Sequence, residues 1–279
     1  MNSHIFHFHP NGRSLVAALA DQGHEVFTAD LREQGRSLRK PLGKDVAYGL
    51  RELALTDFAA LMRAARAQSV SRDPAIDLLG ASLGGTISMI YSTQAPDALT
   101  GRLALMGSPI RWVGLHPLVK VLFGSPALAG AITLRGTRRV AGVALPALAQ
   151  FAPWALKLYM NPDATDLRHA AEMLPTVEDP SRHINREIAK WMRDKDLIIN
   201  GRNLSDDAAH YDHELCTVYA NGDGIVLKDT ALYVHHAAQR ARKTLVKAGD
   251  RTLPYSHADL FVARDAERQV FAPVLAFLR

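Results

Sequence analysis

A serine hydroxyl is a useful nucleophile near neutral pH only when a histidine takes its proton and a carboxylate orients that histidine. Three residues of this sequence have the types and the placement for such chemistry. Ser82 stands in Gly80-Ala81-Ser82-Leu83-Gly84-Gly85, a match to G-x-S-x-G. Glycines two before and two after the serine let a strand and a helix meet at a turn tight enough to strain its backbone. Asp223 lies in the turn Asn221-Gly222-Asp223-Gly224, directly after the strand-like run 215–220. His257 lies in a loop after the run 244–248. All three stand just past strand ends, where open parallel sheets gather reactive groups. Taken alone, Asp223 reads equally well as a turn residue bonding its own backbone, and His257 as a loop histidine. The order Ser82, Asp223, His257, each past a strand, is what joins them into a candidate triad. Asp259 is the competing carboxylate near His257, and its place two residues away predicts a brace for the loop.

Acyl transfer also needs donors for the oxyanion of the tetrahedral intermediate. The amide of Leu83, first in the helix after the elbow, is one candidate. The second should come from the loop after the first core strand, which is His9-Pro10-Asn11-Gly12. Pro10 has no N–H, so the main chain of Asn11 is the expected donor. His9 is expected to hold this loop by hydrogen bonds, and it is also a candidate for contact with substrate. His4, His7 and His9 do not make a metal cluster, because strand alternation puts His4 on the opposite face. No metal and no cofactor is expected.

The elements that would position these residues alternate. Residues 4–8 read as a strand, 14–22 as a helix ending at Gly23, 24–30 as a strand and 57–68 as a helix. Then follow the elbow strand from Ile76, its helix, and a strand over 102–107. Alternation returns with strands at 215–220 and 244–248, a helix over 228–241 between them, and a terminal helix over 263–278. Such alternation predicts an α/β fold, a mostly parallel sheet of about six strands with helices on both faces. From 110 to 205 no convincing strand is found. Apolar helical patches (115–123, 127–134, 140–151, 154–159) and a helix over 181–193 occupy the interval, broken by Pro117, Pro126, Pro146, Pro153 and Pro162. A structureless loop of that length is improbable. Residues 1–109 and 206–279 are therefore read as the core, and 110–205 as an inserted helical cap. Its Trp112, Leu115, Phe123, Phe151, Trp154, Leu158 and Tyr159 predict a mostly apolar pocket, with Trp112 and Trp154 as candidates for substrate contact.

Composition narrows the partners. A chain of 279 residues with 48% hydrophobic and 22% charged residues is ordinary for a globular protein. The net charge of +5 is mild, and the basic residues are scattered apart from small groups at Arg36, Arg39, Lys40 and at Arg135, Arg138, Arg139. Without a basic stripe interleaved with aromatics, no nucleic-acid partner is expected. The single cysteine, Cys216, lies in an apolar run and reads as a core residue in a reducing compartment. No export signal and no transmembrane segment is found, so a cytoplasmic location is expected. The oligomeric state is left open.

Together, His9-Pro-Asn-Gly12, the strand ending at Asp30, the loop Leu31-Arg-Glu-Gln-Gly-Arg-Ser37, Ala81-Ser-Leu-Gly-Gly85, Gly222-Asp223 and His257-Ala-Asp259 resemble the α/β-hydrolase superfamily, lipases and esterases in particular. The H-x-D ending is similar to that of acid-lipase and polyhydroxyalkanoate-synthase-like branches. Ser82 stands where polyhydroxyalkanoate synthases carry cysteine and where dehalogenases and epoxide hydrolases carry aspartate, which points to ester hydrolysis. Two departures stand out. The chain begins almost at the oxyanion strand, and Glu33 occupies a position where the family usually has glycine. The resemblance implies a cap over the nucleophile and a serine hydrolase cleaving carboxylic esters, small or lipid-like, with an apolar acyl or alcohol part. The alternatives are an acyltransferase using the same triad and a catalytically silent protein of this fold that binds an apolar ligand.

Overall fold

In the computed structural model, residues 2–37, 48–123, 147–148, 150–176 and 181–279 are described. The expected helix at 127–134, most of that at 140–151, and the basic residues Arg39, Lys40, Arg135, Arg138 and Arg139 lie outside them. Four parallel strands form the central sheet: β1 (Ile76–Ala81), β2 (Thr100–Met106), β5 (Leu215–Ala220) and β6 (Lys243–Ala248), in the order β1-β2-β5-β6. A two-residue antiparallel pair, β3 (Ile198–Ile199) with β4 (Arg202–Asn203), stands apart.

Period-two alternation along the strands builds the layers. Leu103 and Leu105 of β2, with Leu215 and Tyr219 of β5, face one apolar cluster. Ala104 and Met106, with Cys216, Val218 and Ala220, face the other. Both faces are covered, as parallel sheets require. The first cluster is closed by the helical run 50–68, by α5 (Leu83–Gln94), by α7 (Arg182–Asp194) and by α9 (Lys228–Ala237). That run comprises α3 (Leu50–Glu52), a π-helical stretch (Leu53–Phe58) and α4 (Ala59–Gln68). The second cluster is closed by α2 (Leu15–Asp21) and by the C-terminal π-helical stretch Glu267–Phe271 with α10 (Ala272–Phe277). Cys216 is fully buried, as its apolar run predicted.

Between β2 and β5 the described residues include α6 (Pro117–Phe123), 3-10 helices at Pro153–Leu158 and Leu167–Thr176, α7, the β3–β4 pair, and α8 (Leu204–Ala209).

Three expectations are corrected. Residues 4–8 are not a strand: His4–His7 forms a short helix, α1, begun by the Asn2 side chain accepting the His4 N–H at 3.0 Å. Ile5 is buried in the second cluster, so the apolar positions were read correctly and their geometry was not. Residues 24–30 carry no regular secondary structure. With neither segment in a ladder, the sheet has four strands among the described residues, where about six were expected. The interval 110–205 also contains strands, since Asn200 (φ 53°) and Gly201 (φ 76°) turn the β3–β4 hairpin. Asn-Gly is the strongest short hairpin signal, because both turn positions need positive φ.

The departure at Glu33 has a local cause. Its φ is 60°, the left-handed region where the family's glycine would sit without penalty, and its carboxylate accepts the Tyr48 hydroxyl at 2.6 Å. A residue with a Cβ carries strain of about 1–2 kcal/mol in that region.

Candidate active site

The elbow forms where β1 ends and α5 begins. Ser82 has φ 52° and ψ −125°, outside the ordinary regions for a residue with a Cβ. Its N–H donates to the Met106 carbonyl at 2.9 Å, tying the turn to the end of β2. A Cβ added to Gly80 would stand 2.6 Å from the Gly85 nitrogen, and one added to Gly85 would stand 2.6 Å from the Ser108 Cβ. Only glycine fits at either position. From Gly85 to Tyr91, α5 is buried, and the Thr86 hydroxyl anchors it to the Pro109 carbonyl at 2.7 Å.

Asp223 follows β5 and His257 follows β6, as expected. The structure brings them together: His257 Nδ1 and Asp223 Oδ2 lie 2.6 Å apart, with only 3% and 1% of their side chains exposed. The other Asp223 oxygen accepts the N–H groups of Ile225 at 2.8 Å and Val226 at 2.9 Å, fixing the carboxylate before the histidine arrives. A buried carboxylate with three donors is satisfied and oriented.

The imidazole and the elbow meet the same end of β2. Gly107, one residue past the Met106 carbonyl that Ser82 uses, has φ 58°, and a Cβ there would meet the His257 ring at 3.2 Å. The end of β2 thus touches Ser82 through one residue and the imidazole through the next. Tyr159 covers another side of the imidazole, ring centroids 6.1 Å apart. Burial, then the charges of Asp223 and Asp259, push its phenol up to about 12. The sequence does not single out Gly107, although a glycine just past a strand is a usable signal. Tyr159 is among the apolar residues of the interval expected to line a pocket, but nothing local places it against His257.

Asp259 does not compete for the histidine. Its oxygens accept Asn161 N–H at 2.8 Å, Ser256 N–H at 2.7 Å and the Thr165 hydroxyl at 2.7 Å.

The oxyanion candidates differ in state. Leu83 opens α5, and no described residue accepts its N–H, as the geometry of a helix start dictates. The Asn11 N–H instead donates to His9 Nδ1 at 3.2 Å, while its side chain donates to Asp166 Oδ2 at 2.8 Å. Asp166 is held well below the usual carboxylate range by the side chains of Arg168 and Asn11. His9 donates through Nε2 to the Ala263 carbonyl at 2.9 Å and lies edge-on to Phe271. Both its ring nitrogens are engaged within the protein, which is the loop-holding role, and burial lowers its pKa.

The tryptophans are not brought to the triad. Trp112 is buried edge-on to Trp191, and the cavity of about 380 Å³ that it lines with Leu115, Phe123 and Met192 includes none of Ser82, Asp223 or His257. Trp154 is 73% exposed. The three-residue turn of its 3-10 helix buries Leu156 and leaves Trp154 on the outside. Among the described residues no cluster of three or more metal-ligating side chains occurs, and no helix is long and apolar enough to cross a membrane.

The fold is that of known hydrolases. The chain is similar to bromoperoxidase from Bacillus anthracis (14% identity, 100% of this chain and 88% of the other, TM-score 0.65). It is also similar to the esterase EaEST from Exiguobacterium antarcticum (14%, 99% and 87%, 0.62) and to a monoacylglycerol lipase from Paleococcus ferrophilus (17%, 95% and 86%, 0.61). No curated protein matches the sequence significantly. The family profile for serine aminopeptidase S33, Hydrolase_4, matches residues 11–248, spanning the elbow and the acid turn. The chain is an α/β hydrolase and belongs to the Hydrolase_4, or serine aminopeptidase S33, family.

Proposed function

We propose that this protein is a serine hydrolase of carboxylic esters with an apolar acyl or alcohol part, acting through an acyl-enzyme on Ser82. The observation that carries the reading is the buried 2.6 Å pair of Asp223 and His257, whose imidazole meets the same end of β2 as the positive-φ Ser82. In this mechanism Asp223 holds the His257 Nδ1 proton, leaving Nε2 basic. His257 takes the Ser82 proton as the hydroxyl attacks the carbonyl carbon, then returns it to the leaving alkoxide. Water, deprotonated by His257, releases the acid and restores the serine. Leu83 N–H stabilises the oxyanion from the start of α5. Asn11 N–H is the second donor, which requires substrate to draw it away from His9, a long bond already at 3.2 Å. No metal or cofactor enters any step.

In this proposal the part of 110–205 that roofs the site is the stretch before α7, since α7 itself closes the first cluster on the sheet, and Tyr159 brings that stretch against the base. Leu158, packed against Gly224 of the acid turn, and Tyr159, against the imidazole, are the apolar residues of that stretch at the site and support an apolar acyl part.

A fluorophosphonate probe with intact-mass readout tests the assignment. One adduct is expected on the native chain and none on Ser82→Ala; labelling that survives in the variant sinks the proposal. A panel of p-nitrophenyl esters from acetate to palmitate, run beside aminoacyl p-nitroanilides, reads the leaving group and the chain length. Turnover of longer-chain esters is expected, and turnover of anilides alone would reassign the chain to peptide substrates.

A further inference from the structure

Ten residues of the inserted segment, 157–166, reach all three loops of the site. Toward the acid turn, the Leu158 carbonyl accepts the Gly224 N–H at 3.2 Å. Toward the oxyanion loop, Asp166 accepts the Asn11 side chain at 2.8 Å. Toward the base loop the contacts are densest. The Lys157 carbonyl accepts the Ser256 hydroxyl at 2.7 Å, and the Tyr159 carbonyl accepts the Ala258 N–H at 2.8 Å. The Asn161 side chain donates to the Pro254 carbonyl at 2.6 Å, and Thr165 bridges to Ala263 in antiparallel fashion. The residues on either side of His257 are therefore both tied to this stretch.

Asp259 sits where these ties meet. It is fully buried, and its carboxylate collects the Asn161 N–H and Thr165 hydroxyl from the inserted stretch and the Ser256 N–H from the base loop. We propose that Asp259, through Asn161 and Thr165, is a positioning residue that holds the His257 imidazole in line between Asp223 and Ser82. It touches no substrate and takes no proton in the reaction. Its effect reaches the chemistry only through the placement of the ring, so the inference rests on the reading of Ser82, His257 and Asp223 as the triad.

The geometry separates this from a general contribution to stability. If the ring is set by Asp259, releasing it should slow every step that His257 performs while leaving substrate affinity nearly unchanged. Misplacement of a catalytic group by an ångström costs on the order of 100-fold in rate. Asp259→Asn keeps the size but presents an amide hydrogen to one of three donors. Thr165→Val removes one donor at constant shape. Ser92→Ala removes a comparable side-chain hydrogen bond, that between Ser92 and Thr100, far along α5, and serves as the control.

Three readouts decide the matter: the rate of fluorophosphonate adduct formation, kcat and KM on the ester turned over fastest, and the downfield proton resonance of His257 Nδ1–H. For Asp259→Asn, labelling and kcat should fall about 100-fold with KM within about threefold, and the downfield resonance should shift or broaden. Thr165→Val should lose about tenfold in the same direction, and it decides the question if Asp259→Asn fails to fold. Ser92→Ala should change none of the three. Wild-type labelling with both folded variants reacting at the wild-type rate overturns the positioning role and leaves the triad standing. A wild type that takes no adduct overturns the triad, and the positioning role falls with it. A lowered Tm with unchanged kcat and an unmoved resonance makes Asp259 structural only, which also overturns the proposal.

Discussion

Gly80 and Gly85 face one another across the elbow so closely that a single methyl on the first would press into the backbone of the second. The obstructing atoms are main chain, so no side-chain rotation relieves the contact. We expect Gly80→Ala to cost about 1–3 kcal/mol and to displace Ser82 from its strained turn. A urea midpoint combined with fluorophosphonate labelling checks both, and an alanine variant that labels normally at unchanged stability would contradict the packing.

The Asp223 carboxylate divides its work, one oxygen on the Ile225 and Val226 amides and the other on His257. Asn can keep the amide contacts and turn its NH2 toward the ring, which forces Nδ1 to accept and moves the proton to Nε2. Nε2 then cannot take the serine proton. Asp223→Asn should lower kcat by about 10⁴-fold with KM little altered. Steady-state kinetics on the preferred ester would show it, and a loss confined to KM would be inconsistent.

Burial pushes the Asp259 carboxyl up to about 6; the negative Asp223 adds to this, while the Thr165, Ser256 and Asn161 donors oppose it. The unfolded value is near 3.9, so between the two the folded chain binds more protons. The stability from this group is full below about pH 4 and is lost as pH rises through about 6. Asp223 and His257 flank it on one side. Tyr159 and Tyr255, both pushed up to about 12, stay neutral throughout. Thermal melts from about pH 4 to about pH 7 should show wild type losing stability relative to Asp259→Asn as pH rises. Parallel curves would refute this.

Two tryptophans that look alike in sequence should behave oppositely. Trp112 is buried against Trp191, and Trp112→Ala should cost about 3–5 kcal/mol. Trp154 faces outward, and Trp154→Ala should change stability by no more than about 0.5 kcal/mol. Chemical denaturation of both variants tests the placement.

The chemistry was legible in the sequence to the extent that it is local. The elbow needs only small residues around one serine, and Asp223 and His257 follow strands, a fully buried one for Asp223 and a β-rich, half-exposed one for His257. The same locality explains the failures. Residues 4–8 alternate like a strand, yet strand and short helix are indistinguishable over so few positions until a neighbour supplies a ladder, and residues 24–30 supply none. Asn200-Gly201 carried a usable hairpin signal that the helical character of the surrounding interval obscured. Trp154 and Trp112 were read together for their apolar rings, whereas exposure depends on which turn of a 3-10 helix faces the core. Two of the three partners of Asp259 are beyond reach, since Asn161 lies 98 and Thr165 94 positions away and nothing in either neighbourhood names the other.

That separation also sets a schedule. The elbow can form as soon as residues around 76–106 have been made, because its contacts are short in sequence. The proposed base follows the elbow only after the whole interval 110–205 and β5 have been made, and its loop closes on a stretch synthesised much earlier. Chains emerge from the ribosome N-terminus first, so in the proposed triad a nascent chain carries its serine well before its base is made. On the proposed mechanism, reactivity waits for the closure of that loop, and a chain stopped short of His257 would display the serine yet stay inert.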